Sequence, residues 1–220
     1  MNKPSLILID LDGTLVDSVP DLAFCVDRMM EAVGREPWGE ERVRDWVGNG
    51  VERLVRRALV GALEGEPGDD EFERAYPVFL ELYAEHNGER SRPYPGVREG
   101  LEWMASEGFR LGCITNKAAR FTEPLLEALE LAPFFEITIS GDTLPKKKPD
   151  PLPLLYACEH FGIAPGKSLM LGDSVSDVKA ARAAGFAIVC VSYGYNHGND
   201  IRDAGPDAVI DSFTELRGLF

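Results

Sequence analysis

The sequence is poor in the residues that carry several common chemistries. It has three histidines and four cysteines in 220 residues. His86 and His160 stand in stretches of helical spacing without a second ligand at metal distance, and His197 lies in a glycine-rich segment, so structural roles are expected for all three. Cys25, Cys113, Cys158 and Cys190 form no CxxC pair, and three of them sit inside apolar runs where a reduced thiol packs as a small hydrophobe. No Ser-His-Asp arrangement is evident. Gly48-Asn49-Gly50 precedes a helical pattern but lacks the Gly-Lys-Ser/Thr continuation of a nucleotide-binding loop. No apolar run approaches the ~18 residues needed to cross a bilayer, and the run Leu6 to Ile9 is too short for a signal-peptide core, so a cytoplasmic, soluble chain is expected.

Positive charge is also in short supply. The chain carries 23 Lys and Arg against 37 Asp and Glu, a formal net charge of −14. Such a field repels polyanions, which argues against nucleic acid and anionic membrane surfaces as partners. An anionic small molecule must therefore be met by local positive charge or by a metal ion.

What is present is material for a large core: 45% of the residues are hydrophobic. At this length one large domain, or a domain carrying an insertion, is expected. Short apolar runs at Ser5–Ile9, Phe109–Ile114, Phe135–Ile139, Ser168–Leu171 and Phe186–Val191 each end in small, polar or acidic residues, the pattern of buried parallel strands. Helical spacing recurs between them at Val97–Ser106, Phe121–Leu129, Pro151–Phe161 and Val175–Ala184, the last two closed by Gly162 and Gly185. Strands alternating with helices predict an α/β fold, with ligands bound at the carboxyl ends of the strands. Residues from about Val19 to Asn87 break the alternation with consecutive amphipathic helices. The clearest has Val51, Leu54, Val55, Ala58, Leu59, Ala62 and Leu63 on an apolar stripe and Glu52, Arg53, Arg56 and Arg57 off it. This is a helical insertion after the first strand, and Gly88 to Gly96, with Pro93 and Pro95, reads as its return linker.

Polar residues gather at the predicted strand ends. Asp10 and Asp12 flank Leu11 just past the first strand, where alternation aims both carboxylates one way and Gly13 allows a tight turn; Asp and Gly also simply end strands. Paired carboxylates repel each other unless a cation lies between them, and hard oxygen ligands suit Mg²⁺. Asp173 and Asp177 lie four apart where a strand gives way to a helix: Asp173 or Ser174 caps that helix, or both aspartates face the same site from its opposite wall. Thr115-Asn116 offers a hydroxyl and an amide to a phosphoryl oxygen, or makes a turn. Lys146-Lys147-Lys148-Pro149 is either a solvated loop or the source of an ammonium beside the acidic site.

The ordered set Asp10-Leu-Asp-Gly-Thr-Leu-Val-Asp17, Thr115-Asn116, Lys148-Pro149 and Gly172-Asp173-Ser-Val-Ser-Asp177 resembles the haloacid dehalogenase superfamily of phosphohydrolases over essentially the whole chain. Within it, Trp46-Val-Gly-Asn-Gly50, Arg57-Ala58-Leu59 and Tyr193-Gly-Tyr-Asn-His-Gly198 resemble the bacterial phosphoglycolate phosphatases.

The resemblance implies a Rossmann-like, mostly parallel sheet core over residues 1–18 and 89–220, with a helical cap domain over 19–88. It implies a Mg²⁺-dependent phosphatase acting on a small phosphorylated metabolite such as 2-phosphoglycolate. Asp10 would be the nucleophile that becomes an aspartyl-phosphate, and Asp12 the acid and then the base. Mg²⁺ would be held by Asp10, the backbone carbonyl of Asp12, and Asp173. Thr115, Asn116 and Lys148 would hold the phosphoryl oxygens, with Asp177 and Thr14 in support. Gly48, Asn49 and Gly50, with Arg57, either meet the substrate carboxylate at a helix N-terminus or serve only as that terminus and a solvated arginine.

Other readings of the same residues are a sugar-phosphate phosphatase, a phosphomutase, a metal-free dehalogenase, or a phospho-acceptor signalling module. The acidic cluster argues against the dehalogenase. About 70 residues spent on a helical insertion argue against the module, which needs only a compact α/β domain.

Overall fold

A computed structural model describes residues 1–220, with strands β1 (Leu6–Ile9), β2 (Val16–Asp17), β3 (Arg92–Pro93), β4 (Arg110–Ile114), β5 (Ile137–Ile139), β6 (Ser168–Gly172), β7 (Ala187–Val191) and β8 (Ala208–Ile210). The helices are α1 (Val19–Ala32), α2 (Glu40–Arg44), α3 (Val51–Val60), α4 (Asp69–His86), α5 (Val97–Ser106), α6 (Ala119–Ala128), α7 (Leu152–Phe161) and α8 (Val175–Ala184). Six strands form one parallel sheet in the order β5-β4-β1-β6-β7-β8. The α/β fold expected from the alternating pattern is therefore present. The third of the five apolar runs, Phe135–Ile139, yields a shorter strand, β5, beginning at Ile137, and β8 adds a sixth strand that the runs do not reveal.

Alternate strand residues sort onto two buried faces. Ile7, Ile9, Leu111, Cys113, Leu169 and Leu171 pack with Val97, Leu101 and Met104 of α5 and with Leu125 and Leu126 of α6. Leu6, Leu8, Met170, Ile188 and Cys190 pack instead with α7 and α8. With both faces covered, the strands read as continuous apolar runs. All four cysteines are free and buried.

β1 lies at the centre, between β4 and β6, and the chain reverses its direction of travel across the sheet there. Such a reversal opens a crevice at the carboxyl ends of the neighbouring strands. Ile9 pairs with Cys113 on one side and with Leu171 on the other, so Asp10, Ile114 and Gly172 stand level at that edge.

Helices α1 to α4 close over a separate apolar cluster that includes Leu22, Met29, Trp46, Leu54, Phe79 and Tyr83; Phe121 and Tyr195 join it from the sheet-bearing part, with Ala118 against its edge. The stripe on α3 holds at Leu54, Val55, Ala58 and Leu59, but the helix stops at Val60 with Gly61 in the left-handed region, so Ala62 and Leu63 fall beyond it. The two crossings between this helical set and the sheet are β2 and β3, which pair antiparallel.

Asp21 of α1 ties the return crossing down. Its buried carboxylate accepts from the backbone N–H groups of Gly88 (2.9 Å), Arg90 (2.8 Å) and Ser91 (2.9 Å) and from the Ser91 hydroxyl. Asp21→Ala removes every one of these acceptors at once. It is expected to cost about 3 kcal/mol or more, because unsatisfied buried donors keep their desolvation penalty. For a chain of this size that lowers Tm by roughly 6–12 °C, and a thermal melt checks it.

Candidate active site

The strand edge brings together residues from four distant stretches. Asp10 follows β1, Thr115 and Asn116 follow β4, Lys148 comes from the loop after β5, and Asp173 and Asp177 come from the β6–α8 junction. They line one cavity of about 390 Å³, Asp177 excepted, which stands behind its wall; the opposite side is formed by Gly48, Asn49 and Gly50.

Asp10, Asp173 and Asp177 are all buried, and one carboxylate oxygen from each lies within 4.8 Å of the others. The Lys148 ammonium sits 2.9 Å from Asp10 Oδ1 and 2.7 Å from Asp177 Oδ1, and donates to the Ile114 carbonyl at 2.7 Å. Burial alone would lower the Lys148 pKa, but Asp10 and Asp177 outweigh it and push it up, so the lysine is held protonated. Burial, countered by Lys148 and aided by Asp177, pushes Asp10 up to about 7. Burial followed by repulsion from Asp10 and Asp177 drives Asp173 well above the ordinary carboxylate range. One lysine does not balance three carboxylates.

Each carboxylate is oriented. Asp10 Oδ1 accepts from the Leu11 N–H at 2.7 Å. Asp173 accepts from the Thr14 hydroxyl on Oδ1 and from the Tyr195 N–H on Oδ2, both at 2.7 Å. Asp177 forms a capping box with Ser174, accepting from the Ser174 N–H at 3.0 Å and hydroxyl at 2.7 Å on Oδ2, which leaves Oδ1 for Lys148. The two readings of this segment are thus compatible: Ser174 caps α8 while Asp173 and Asp177 face the cluster. Glycines make the close approach possible. Gly13 has φ of 85°, and a Cβ there would lie 2.4 Å from Asp173 Oδ2; at Gly194 a Cβ would lie 2.1 Å from the Asp173 Cβ.

Asp12 departs from the expected convergence. Its carboxylate is not part of the buried triad; it lies 3.1 Å from the ammonium of Lys117. The reason is local. The chain has already left the strand geometry at Asp12, which makes an isolated bridge to Val16 ahead of the Gly13 turn, so strict alternation no longer sets its direction. Asp12 still lines the same cavity.

Thr115 is buried, and its hydroxyl accepts from the Lys117 N–H at 3.2 Å. Asn116 donates from Nδ2 to the Lys148 carbonyl at 2.9 Å, which fixes the lysine's backbone. Gly48, Asn49 and Gly50 stand at the foot of α3 with φ of 127°, 67° and 96°.

Arg57 is neither solvated nor in the cavity. It is buried, and its guanidinium donates to the carbonyls of Trp46 (2.8 Å), Gly48 (3.3 Å) and Leu63 (3.2 Å) and to Asn49 Oδ1 (3.0 Å). Loop carbonyls outside the helix, invisible to helical periodicity, pull it inward. It braces the loop that forms the cavity wall.

Lys117, Tyr83 and Tyr195 were not legible as site residues. The Tyr195 hydroxyl donates to Asp17 Oδ1 at 2.5 Å and accepts from the Ser18 N–H at 2.9 Å, while its own N–H holds Asp173. Arg44 of α2 reaches both oxygens of the same Asp17 at 3.1 Å. The segment after β7 therefore joins the acidic cluster to the crossing into α1. The Tyr193–Gly198 pattern marked the segment, but nothing in it specified these partners.

The donor set suits a hard divalent cation: three buried carboxylates, an Asp10 Oδ2 that no protein donor takes up, and mutual repulsion that one lysine leaves unrelieved. The cavity can thus take an anionic group whose charge is met by Lys148 and a metal.

Known proteins give the same direction. The family described as haloacid dehalogenase-like hydrolase matches residues 7–191. A protein of Nitrosococcus oceani named phosphoglycolate phosphatase is 64% identical over 219 residues, covering 100% of this chain and 97% of its own. One of the same name from Nitrosospira multiformis is 49% identical, covering 97% and 94%. Among solved structures, a predicted phosphoglycolate phosphatase from Haemophilus somnus superposes with a TM-score of 0.93 at 37% identity, over 100% of this chain and 99% of that one. No helix is long and apolar enough to cross a membrane.

Proposed function

The chain belongs to the haloacid dehalogenase-like hydrolases, and from that premise we propose that it hydrolyses a small phosphate monoester, 2-phosphoglycolate foremost, to the alcohol and inorganic phosphate. The observation that carries this is the buried Asp10–Asp173–Asp177 cluster with Lys148 at one end of a cavity of about 390 Å³. The substrate comes from the relatives named phosphoglycolate phosphatase.

In this reading Asp10 attacks phosphorus and carries the phosphoryl group, and Asp12 gives a proton to the leaving oxygen and later takes one from water. Thr115, Asn116 and Lys148 grip the phosphoryl oxygens. Mg²⁺ is the cation, held by Asp10, the Asp12 carbonyl and Asp173, and when bound it neutralises charge on the transferring group. Thr14 and Asp177 keep Asp173 and Lys148 in place. Gly48, Asn49 and Gly50 face the carboxylate end of the substrate from a cap domain of residues 19–88, set over a core of 1–18 and 89–220. Arg57 supports them from behind rather than touching substrate.

Phosphate release from a panel of monoesters tests the reading. The expected result is activity that disappears in EDTA, returns with Mg²⁺, and has its highest kcat/KM on 2-phosphoglycolate. A higher rank for sugar phosphates removes the substrate assignment and leaves the chemistry. Full activity in EDTA removes the metal.

A further inference from the structure

The cavity holds a second buried lysine with no part in the scheme above. The Lys117 side chain is 2% exposed, and its ammonium lies 3.1 Å from Asp12 Oδ1 and 3.4 Å from Oδ2. It also donates to the hydroxyl of Tyr83 and sits 4.7 Å from the centre of that ring. Its backbone is pinned on both sides: the N–H donates to the Thr115 hydroxyl at 3.2 Å, and the carbonyl accepts from the Gly141 N–H at 2.8 Å. Tyr83 belongs to α4, is fully buried, and packs on Phe121 of α6 at 4.8 Å between ring centres. The ammonium therefore has little freedom, and whatever it holds is held firmly.

What it holds is Asp12, the one carboxylate of the site outside the buried triad. The Asp12 side chain is 20% exposed, and Lys117 is the one side chain that its carboxylate pairs with. A carboxyl group that must meet a leaving oxygen loses about 10²-fold in rate when misplaced by an ångström. We propose that Lys117 is a positioning residue for Asp12, and that Tyr83, by binding the same ammonium, ties the position of Asp12 to the seating of α4 on the sheet-bearing part.

The inference rests on Asp12 being the proton carrier. In the first step the bond between Asp10 and phosphorus forms, and the bond from phosphorus to the leaving oxygen breaks. Its electron pair stays on that oxygen, which takes the proton from Asp12. A nitrophenolate leaves without needing that proton, whereas the alkoxide of glycolate does not.

First-turnover kinetics with Mg²⁺ present, on 2-phosphoglycolate and on p-nitrophenyl phosphate, separate the possibilities. With Lys117→Met, the first turnover of 2-phosphoglycolate is expected to slow about 100-fold with KM within a few-fold. The burst of nitrophenolate should stay within a few-fold of wild type and be followed by slow steady turnover, because the second step also needs Asp12. Tyr83→Phe keeps the packing and should move the same way by about 5-fold, and it decides the matter should Lys117→Met fold poorly. Equal slowing of both first turnovers, as from a lost phosphate ligand or a general structural defect, overturns the proposal; so does no slowing of either. Asp12→Asn is the reference. If it shows the leaving-group pattern and the Lys117 and Tyr83 variants do not, the proposal alone fails; if Asp12→Asn lacks the pattern, the role of Asp12 fails with it.

Discussion

Asp10→Asn is expected to lower phosphate release from 2-phosphoglycolate by at least ~10³-fold while the protein keeps its fold, since removing a nucleophile abolishes the covalent route and leaves only binding and electrostatics. The amide retains an Oδ1 that can accept from the Leu11 N–H, and Lys148 retains Asp177 at 2.7 Å and the Ile114 carbonyl. Nothing in the core contacts is lost, so the circular dichroism spectrum should match wild type. A phosphoryl adduct trapped by acid quench should be found on the wild-type peptide containing Asp10 and be missing from the variant. Comparable turnover by Asp10→Asn, or an adduct on another residue, takes the nucleophile's role from Asp10.

The strand ends were legible because strands buried on both faces must be apolar throughout, and a run such as Leu6–Ile9 can stop only where the chain leaves the sheet. That alone located Asp10, Thr115 and Asp173. β8 escaped because three residues, Ala208–Ile210, are too few to stand out as a run. The directions of two side chains lie outside what a local pattern fixes. Strand alternation does not reach Asp12, because β1 ends at Ile9, and helical periodicity cannot register the acceptors that another loop supplies to Arg57. Lys117 gave no pattern at all: its partners, Asp12 and Tyr83, lie 105 and 34 residues away in sequence. Contacts of that kind are set by the fold as a whole. The site's chemistry was therefore readable where a local rule fixes direction, and hidden where two distant loops meet.

Asp173→Asn is expected to raise stability in EDTA and to abolish both activity and the stabilisation by Mg²⁺. Asp173 is 2% exposed, and burial first, then Asp10 and Asp177, make its charged form unfavourable in the folded state. At neutral pH the unfolded chain carries that charge without penalty, so without a cation the carboxylate works against folding. An amide of the same shape removes the repulsion and keeps the contacts, its oxygen accepting from the Tyr195 N–H and its NH₂ donating to the Thr14 hydroxyl. Relief of about 1–3 kcal/mol corresponds to a Tm higher by roughly 2–12 °C for a protein of this size. Mg²⁺ acts in the opposite sense on the wild type, adding about 2.7 kcal/mol at a concentration 100 times its Kd. The variant lacks one of the three carboxylates and should gain little. Thermal melts of both proteins in EDTA and over a Mg²⁺ series should therefore cross, the variant higher without metal and the wild type gaining on it as metal is added. A variant that melts below wild type in EDTA would mean that the Asp173 charge supports the fold, and the case for a cation drawn from crowded carboxylates would fall with it.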